Sequence, residues 1–233
     1  MKLKLALMVG ALALAGCNSE TPATKGAARQ SGGPAIAVQG DEQRILAIGD
    51  SLFAGYGLKP GESYPARLEA ALRATGVNAR ITNAGVSGDT SADIRQRLAF
   101  TLDNQPSPPA LVIVELGGND LLRALPPEQL RANLDAVLTE LKRRDLPVLV
   151  MGMLAPPNLG KAYGDKFNPI YTELAKQHDA MLVPFFLQAV IGKPELVQAD
   201  HLHPTAPGVE AIVQSTLSAV SKILPQPDRP PSP

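Results

Sequence analysis

The chain has 233 residues with 22 basic and 22 acidic side chains, and 45% of it is hydrophobic, enough to bury one substantial core. Balanced charge without a basic stripe argues against a nucleic-acid partner, and the lack of Trp with only 4% aromatic residues removes the surfaces on which bases or sugar rings stack. Imidazole chemistry must come from His178, His201 or His203, and a single cysteine, Cys17, excludes an intramolecular disulfide.

At the N-terminus, Lys2 and Lys4 precede the apolar run from Leu5 to Ala15. The run lies within the ~7–15 residues typical of a signal peptide and short of the ~20 that a spanning helix needs. Residues 1–16 are therefore expected to be a signal peptide. Leu14-Ala15-Gly16-Cys17 resembles the lipobox of bacterial lipoproteins, a resemblance that implies a diacylated Cys17 as the mature N-terminus. Ordinary cleavage after Ala13-Leu14-Ala15 is the competing reading. Acylation would hold the protein to a membrane without spanning it, placing it in the cell envelope on the periplasmic face, and Asn18 points to the outer membrane by the same resemblance. Residues 17–43, rich in Ser, Thr, Pro, Ala and Gly, read as a flexible tether, and 225–233 as a proline-rich tail that cannot be helical.

The folded domain is thus expected over 44–224, with strands and helices alternating. Arg44–Gly49 reads as the first strand, Ser63–Thr75 as a helix, Arg80–Asn83 as a short strand and Ser91–Leu102 as a helix with Ile94, Leu98 and Leu102 on one face. Ala110–Leu116 is apolar enough to sit mid-sheet with both faces covered. Pro127–Arg144 carries Leu130, Leu134, Val137, Leu138 and Leu141 at helical spacing. A strand over Pro147–Gly152, a helix over Pro169–Gln177, a short strand over Met181–Val183 and a closing helix over Ala206–Ile223 complete the domain. Regular β-α alternation implies a three-layer α/β/α sandwich around a central parallel sheet.

Four polar blocks stand where such a sheet presents its C-terminal edge: Gly49-Asp50-Ser51-Leu52, Val86-Ser87-Gly88-Asp89-Thr90, Gly117-Gly118-Asn119-Asp120 and Asp200-His201-Leu202-His203-Pro204. Serine, histidine and aspartate are the parts of a nucleophilic hydrolase, because a hydroxyl is barely nucleophilic at neutral pH without an adjacent base. Taken singly, each block has a plainer reading: Ser51 as a helix cap, Asp200 and His203 as a cap of the last helix, Asn119 as a left-handed turn residue. Asp200, His201 and His203 are also possible metal ligands, but no further Cys or His is at hand, so no metal or cofactor is expected.

In order and spacing the four blocks resemble the SGNH, or GDSL, hydrolase superfamily across essentially the whole domain. The similarity is nearest to the bacterial thioesterase I, arylesterase and lysophospholipase branch, through Gly85–Ser91 and Val114–Asp120. That resemblance implies a flavodoxin-like fold, Ser51 as nucleophile, His203 rather than His201 as general base, Asp200 as its orienting acid, and an oxyanion hole from the Ser51 N–H, the Gly88 N–H and the Asn119 amide. Asp50, Asp89 and Asp120 are read instead as carboxylates that satisfy loop N–H groups. Glu115 is either edge-facing or buried and paired, and His178 reads as a surface residue.

The loop Leu121-Leu122-Arg123-Ala124-Leu125-Pro126 is aliphatic, and the corresponding loop of the thioesterase branch lines the acyl pocket. Leu121, Leu122, Leu125 and Pro156 are accordingly the expected substrate contacts, with Met153-Leu154 and Phe185-Phe186-Leu187 adding apolar surface. The expected activity is hydrolysis of acyl esters and thioesters through an acyl-serine, by a monomer whose partners are a small acyl substrate and, through its anchor, a membrane. A carbohydrate O-acetylesterase using the same residues, and a non-catalytic acyl-binding lipoprotein, are the alternatives.

Overall fold

A computed structural model describes residues 37–224. The signal peptide, Cys17, most of the tether and the proline-rich tail lie outside the described residues. Five parallel strands form one sheet in the order β2-β1-β3-β4-β5. They are β1 (Gln39–Gly49), β2 (Val77–Gly85), β3 (Leu111–Glu115), β4 (Val148–Met151) and β5 (Met181–Val183). Ile45–Ile48 of β1 and all of β3 are buried, as expected of strands covered on both faces. Their register is in step: Ile45 lies opposite Ile81 on one side and Leu111 on the other, and Ile48 lies opposite Val114.

Helices cover both faces, giving the three-layer α/β/α sandwich. The longer ones are α2 (Tyr64–Ala74), α3 (Ser91–Asp103), α5 (Pro127–Arg143), α7 (Pro169–Gln177) and α8 (Ala206–Ile223); α1 (Ser51–Ala54), α4 (Gly118–Leu122) and α6 (Lys161–Phe167) are short. α2 packs on α8, while α3 packs on α5, which also meets α6 and α7. Local chemistry accounts for the main boundaries. A reciprocal capping box between Thr90 and Asp93 starts α3. Pro127 opens α5, whose buried stripe Leu130, Leu134, Val137, Leu138 and Leu141 is the one its spacing predicts. Between the α2–α8 layer and the sheet, Phe53, Tyr64 and Phe186 form an aromatic cluster, and the Tyr64 hydroxyl is 2.8 Å from Thr216 Oγ1.

Several boundaries differ from expectation. β1 begins at Gln39 rather than Arg44, so the end of the expected tether is strand, with Gln39 opposite Val77. Its five extra residues are polar, lie mostly at the surface and include an irregularity in register, so they carry no alternating pattern. β2 is also extended at both ends, by Val77–Ala79, of which Val77 and Ala79 are buried, and by Ala84-Gly85. The short helices α1, α4 and α6 lie where the sequence shows no helical period.

The strand order reverses between β1 and β3, because the chain steps from β1 to β2 on one side and then crosses to β3 on the other. In an open parallel sheet that reversal leaves a crevice beyond the strand C-termini where ligands bind. Ser51 follows β1 and Asn119 follows β3, one on each side of this crevice.

Candidate active site

Ser51 is the first residue of α1, set immediately beyond the buried end of β1. Asp50 makes this sharp strand-to-helix transition possible. Its Oδ1 accepts the Leu52 N–H at 2.9 Å, and its Oδ2 accepts from Asn119 Nδ2 at 3.0 Å. The backbone N–H of Asp50 donates to Glu115 Oε2 at 3.1 Å. The nucleophile candidate is thus clamped to β3 through its preceding residue.

His203 reaches Ser51 from the opposite direction, on the segment before α8. Its Nε2 lies 2.8 Å from Ser51 Oγ and its Nδ1 2.7 Å from Asp200 Oδ2. Asp200 Oδ1 also accepts the backbone N–H groups of Leu202 (2.9 Å) and His203 (3.0 Å), folding the loop back on itself. Desolvation works to raise the Asp200 pKa, but the Leu202 N–H, the His203 imidazole and the His203 N–H outweigh it and hold the carboxyl at about 2. An ionised Asp200 can only accept, so Nδ1 carries the imidazole proton and Nε2 is left free to accept from the serine hydroxyl. His201 adopts a left-handed conformation (φ 61°) that turns the loop, and it takes no part in this relay.

Two residues that hold the relay went unread in the sequence. The Tyr56 ring packs on the His203 ring, centroids 4.6 Å apart. Gln198 joins the two loops: its Nε2 donates to the carbonyls of Tyr56 (2.8 Å) and Pro204 (2.9 Å), and its N–H to the carbonyl of His203 (2.7 Å). The only sequence signal was Gly55-Tyr56-Gly57, which marks a tight exit from α1.

The three expected oxyanion donors are placed unequally. Among the described residues, neither the Ser51 N–H nor the Gly88 N–H has a protein acceptor. Gly88 sits in an exposed loop at φ 91°, where a side chain would be strained although nothing crowds it. Asn119 Nδ2 already donates twice, to Asp50 Oδ2 and to the Asp89 carbonyl at 2.9 Å. Arg97 anchors this region by contacting Asp89 Oδ2 (2.6 Å) and the Gly49 carbonyl (3.1 Å). Asp120 accepts the Ser91 N–H (2.8 Å) and hydroxyl (2.6 Å), fastening α4 to the start of α3. Asp50 and Asp120 therefore bind backbone N–H groups as read from the sequence, while Asp89 pairs with Arg97.

Glu115 resolves to the buried alternative. It is fully covered, and its Oε1 has no hydrogen-bond partner among the described residues. Burial, reinforced by the charges of Asp50 and Asp120, pushes its pKa well up and so favours the neutral carboxyl beside Asp50. Burial also raises the Asp50 pKa, and hydrogen bonds from the Leu52 N–H, Glu115 and Asn119 only partly offset it. His178 also departs from expectation: its side chain is only 10% exposed, and Nε2 meets Asp135 Oδ1 at 2.7 Å.

A hollow of about 380 Å³ opens beside Ser51 and His203. Its walls are mainly aliphatic: Leu121 and Leu122 from α4, Met153, Leu154 and Pro156 after β4, and Leu187 after β5. Of the four expected contacts, Leu121, Leu122 and Pro156 line it and Leu125 does not. The chain turns away at Ala124 (φ 48°), and Leu125 is fixed by its N–H to the Asp120 carbonyl and by Tyr163 Oη to its own carbonyl. Phe186 belongs to the core, whereas Leu159, Phe185 and Ile191 also line the hollow. No group of three or more His, Cys, Asp or Glu among the described residues could hold a metal ion.

The chain is similar to several known proteins. The GDSL-like Lipase/Acylhydrolase family matches residues 47–211. An arylesterase of Vibrio mimicus is 41% identical over 70% of this chain and 80% of its own length. Esterase TesA of Pseudomonas aeruginosa is 37% identical over 80% of this chain and 92% of its own. Among solved structures, AlinE4, an SGNH-hydrolase family esterase, is 61% identical, covers 81% of this chain and all of its own, and superposes with a TM-score of 0.68. Esterase EstA from Pseudoalteromonas sp., solved inhibited by monoethylphosphonate, is 31% identical over 77% of this chain and 97% of its own, with a TM-score of 0.72. The chain belongs to the GDSL-like lipase/acylhydrolase, or SGNH, family of carboxylic ester hydrolases.

Proposed function

We propose that the protein hydrolyses esters and thioesters of aliphatic acyl chains through an acyl-Ser51 intermediate, as the names of its arylesterase and thioesterase 1/lysophospholipase L1 relatives suggest. The observation that carries this reading is the Ser51–His203–Asp200 relay opening directly onto an aliphatic hollow. Ser51 Oγ attacks the acyl carbonyl while His203 Nε2 takes its proton, and Asp200 holds the imidazole in the required tautomer and supports its charged form. The oxyanion is received by the Ser51 and Gly88 N–H groups and by Asn119, one of whose amide hydrogens leaves its present acceptor to do so. His203 then protonates the departing oxygen or sulfur, and water attacks the acyl-serine by the same route.

Turnover of p-nitrophenyl esters of increasing acyl length, beside Ser51→Ala, tests this. Rates that rise beyond acetyl and vanish in the variant support the reading. Activity confined to acetyl esters would favour an O-acetylesterase, and no Ser51-dependent turnover would leave a binding protein.

The envelope location rests on the leader alone: a lipobox-like Leu14-Ala15-Gly16-Cys17 after a short apolar run. Acylation at Cys17 would keep the enzyme on a membrane surface, beside lipid substrates. Mass spectrometry of the mature N-terminal peptide, with Cys17→Ser releasing the protein from membranes, checks it. An unmodified N-terminus after Ala15 would point to ordinary secretion.

A further inference from the structure

The segment joining β5 to the histidine loop is more apolar at the surface than the relay requires. Ile191 is 60% exposed and Leu202 47% exposed, large aliphatic side chains that water would leave bare only at some cost. They stand on a ridge with two sides. One side faces the hollow at Ser51. On the other lies a second hollow of about 270 Å³, which shares Leu187, Ile191, His201 and Leu202 with the first. The second hollow adds Val190, Pro194 and Val197, aliphatic groups that the first does not contain. Lys193 also borders it, but its ammonium is engaged by the Ala189 carbonyl at 2.9 Å.

The position of this hollow relative to the chemistry indicates its use. An ester has two arms that leave the reacting carbon in different directions. Along the strand C-termini from Ser51, the first hollow runs over α4 and the loop after β4, the direction assigned above to the acyl arm. The second hollow lies on the other side of the ridge, bordered by His201 and Leu202, the residues just before His203. His203 must hand its proton to the departing atom, so the departing group lies on the histidine side of the serine. From this placement we infer that the hollow formed by Val190, Pro194, Val197, Ile191 and Leu202 is a leaving-group subsite, taking the apolar alcohol or thiol arm of the substrate, an aryl ring or a short alkyl chain. This inference rests on the acyl-serine reading of the same site.

Octanoyl esters of methanol, ethanol, propanol and butanol separate the two. These alcohols have similar acidity, so differences in kcat/KM report binding of the alcohol arm rather than its intrinsic ability to leave. Each added methylene that enters an apolar site should raise kcat/KM by about two- to fourfold. Val197→Thr, a volume-preserving change confined to the second hollow, should flatten the alcohol series and leave the acyl-length series of methyl esters unchanged. Leu122→Ser, confined to the first hollow, should do the reverse. An alcohol series that is flat in the unaltered enzyme, or a Val197→Thr variant that alters the acyl series instead, overturns the subsite. Absence of Ser51-dependent turnover with every ester would sink the acyl-serine reading itself, and the subsite with it.

Discussion

Replacing Glu115 by Gln isolates the energetic consequence of a neutral acid behind the nucleophile. In the folded protein Glu115 is fully buried, with Asp50, Asp120 and the Tyr171 phenol as its titratable neighbours. Burial lifts its pKa well above the ordinary 4.5 that the unfolded chain retains. Above pH 4.5 the unfolded state releases this proton and the folded state keeps it, so the unfolded state binds fewer protons and stability falls as pH rises. The slope is about 1.4 kcal/mol per pH unit for as long as the native carboxyl stays protonated. The loss therefore accumulates across the window from pH 4.5 up to the raised native pKa. Glutamine has nearly the same shape, can still accept the Asp50 N–H, and does not titrate. Urea unfolding of both proteins at half-unit pH steps should therefore show the Glu115→Gln variant gaining on the unaltered enzyme by this slope, with the contribution of Asp50 largely cancelling in the difference. A gap that stays constant across the window would mean that Glu115 is ionised in the fold, and the account of the site electrostatics would fail. Glu115→Ala, by contrast, strands the Asp50 N–H and should cost at least about 1–3 kcal/mol at every pH.

Asn119→Ala removes an oxyanion donor and should lower kcat about 10²–10³-fold. Because the same amide holds Asp50 Oδ2 and the Asp89 carbonyl, it should also lower the unfolding free energy by about 1–3 kcal/mol, and loss of stability without loss of kcat would reduce Asn119 to a scaffold residue. Asp200→Asn keeps an acceptor for the Leu202 and His203 N–H groups but turns an amide donor toward His203 Nδ1, forcing the wrong tautomer. Its kcat should fall on the order of 10⁴-fold while the fold survives, and a loss below tenfold in steady-state assays would remove Asp200 from the relay. Since Asp200 titrates at about 2, the acid limb of kcat/KM above pH 4 should belong to another group and should persist in any residual activity of that variant. Gly117→Ala places a Cβ 2.2 Å from the Tyr171 hydroxyl at a backbone φ of 107°, and thermal unfolding should report a loss of about 2–4 kcal/mol.

The sequence alone determined the layers of this fold and the residue types at its edge. Apolar runs such as Ile45–Ile48 and Leu111–Val114, and periodic stripes such as that of α5, are local patterns that follow from burial on both faces or on one, so they can be read without knowing the partners. The blocks that supply Ser51, Asn119, Asp200 and His203 were legible because each directly follows a strand or precedes the last helix. What sequence could not decide depends on contacts between distant segments. The four- and five-residue helices α1 and α4 are too short to show a period and are held by the Asp50 cap and by the Asp120–Ser91 hydrogen bonds. Gln39–Gln43 became strand by pairing with β2 rather than by burying a face. Leu125 left the hollow because of one backbone turn at Ala124, and Ile191 entered it from a loop with no pattern of its own. The raised pKa of Glu115, the Tyr56 ring on His203 and the Gln198 link between the two loops arise because the sheet brings segments more than sixty residues apart within hydrogen-bond or van der Waals reach. Solvent exclusion and proximity are properties of the assembled fold, and they set the charge and reach of groups whose identities the chain had already spelled out.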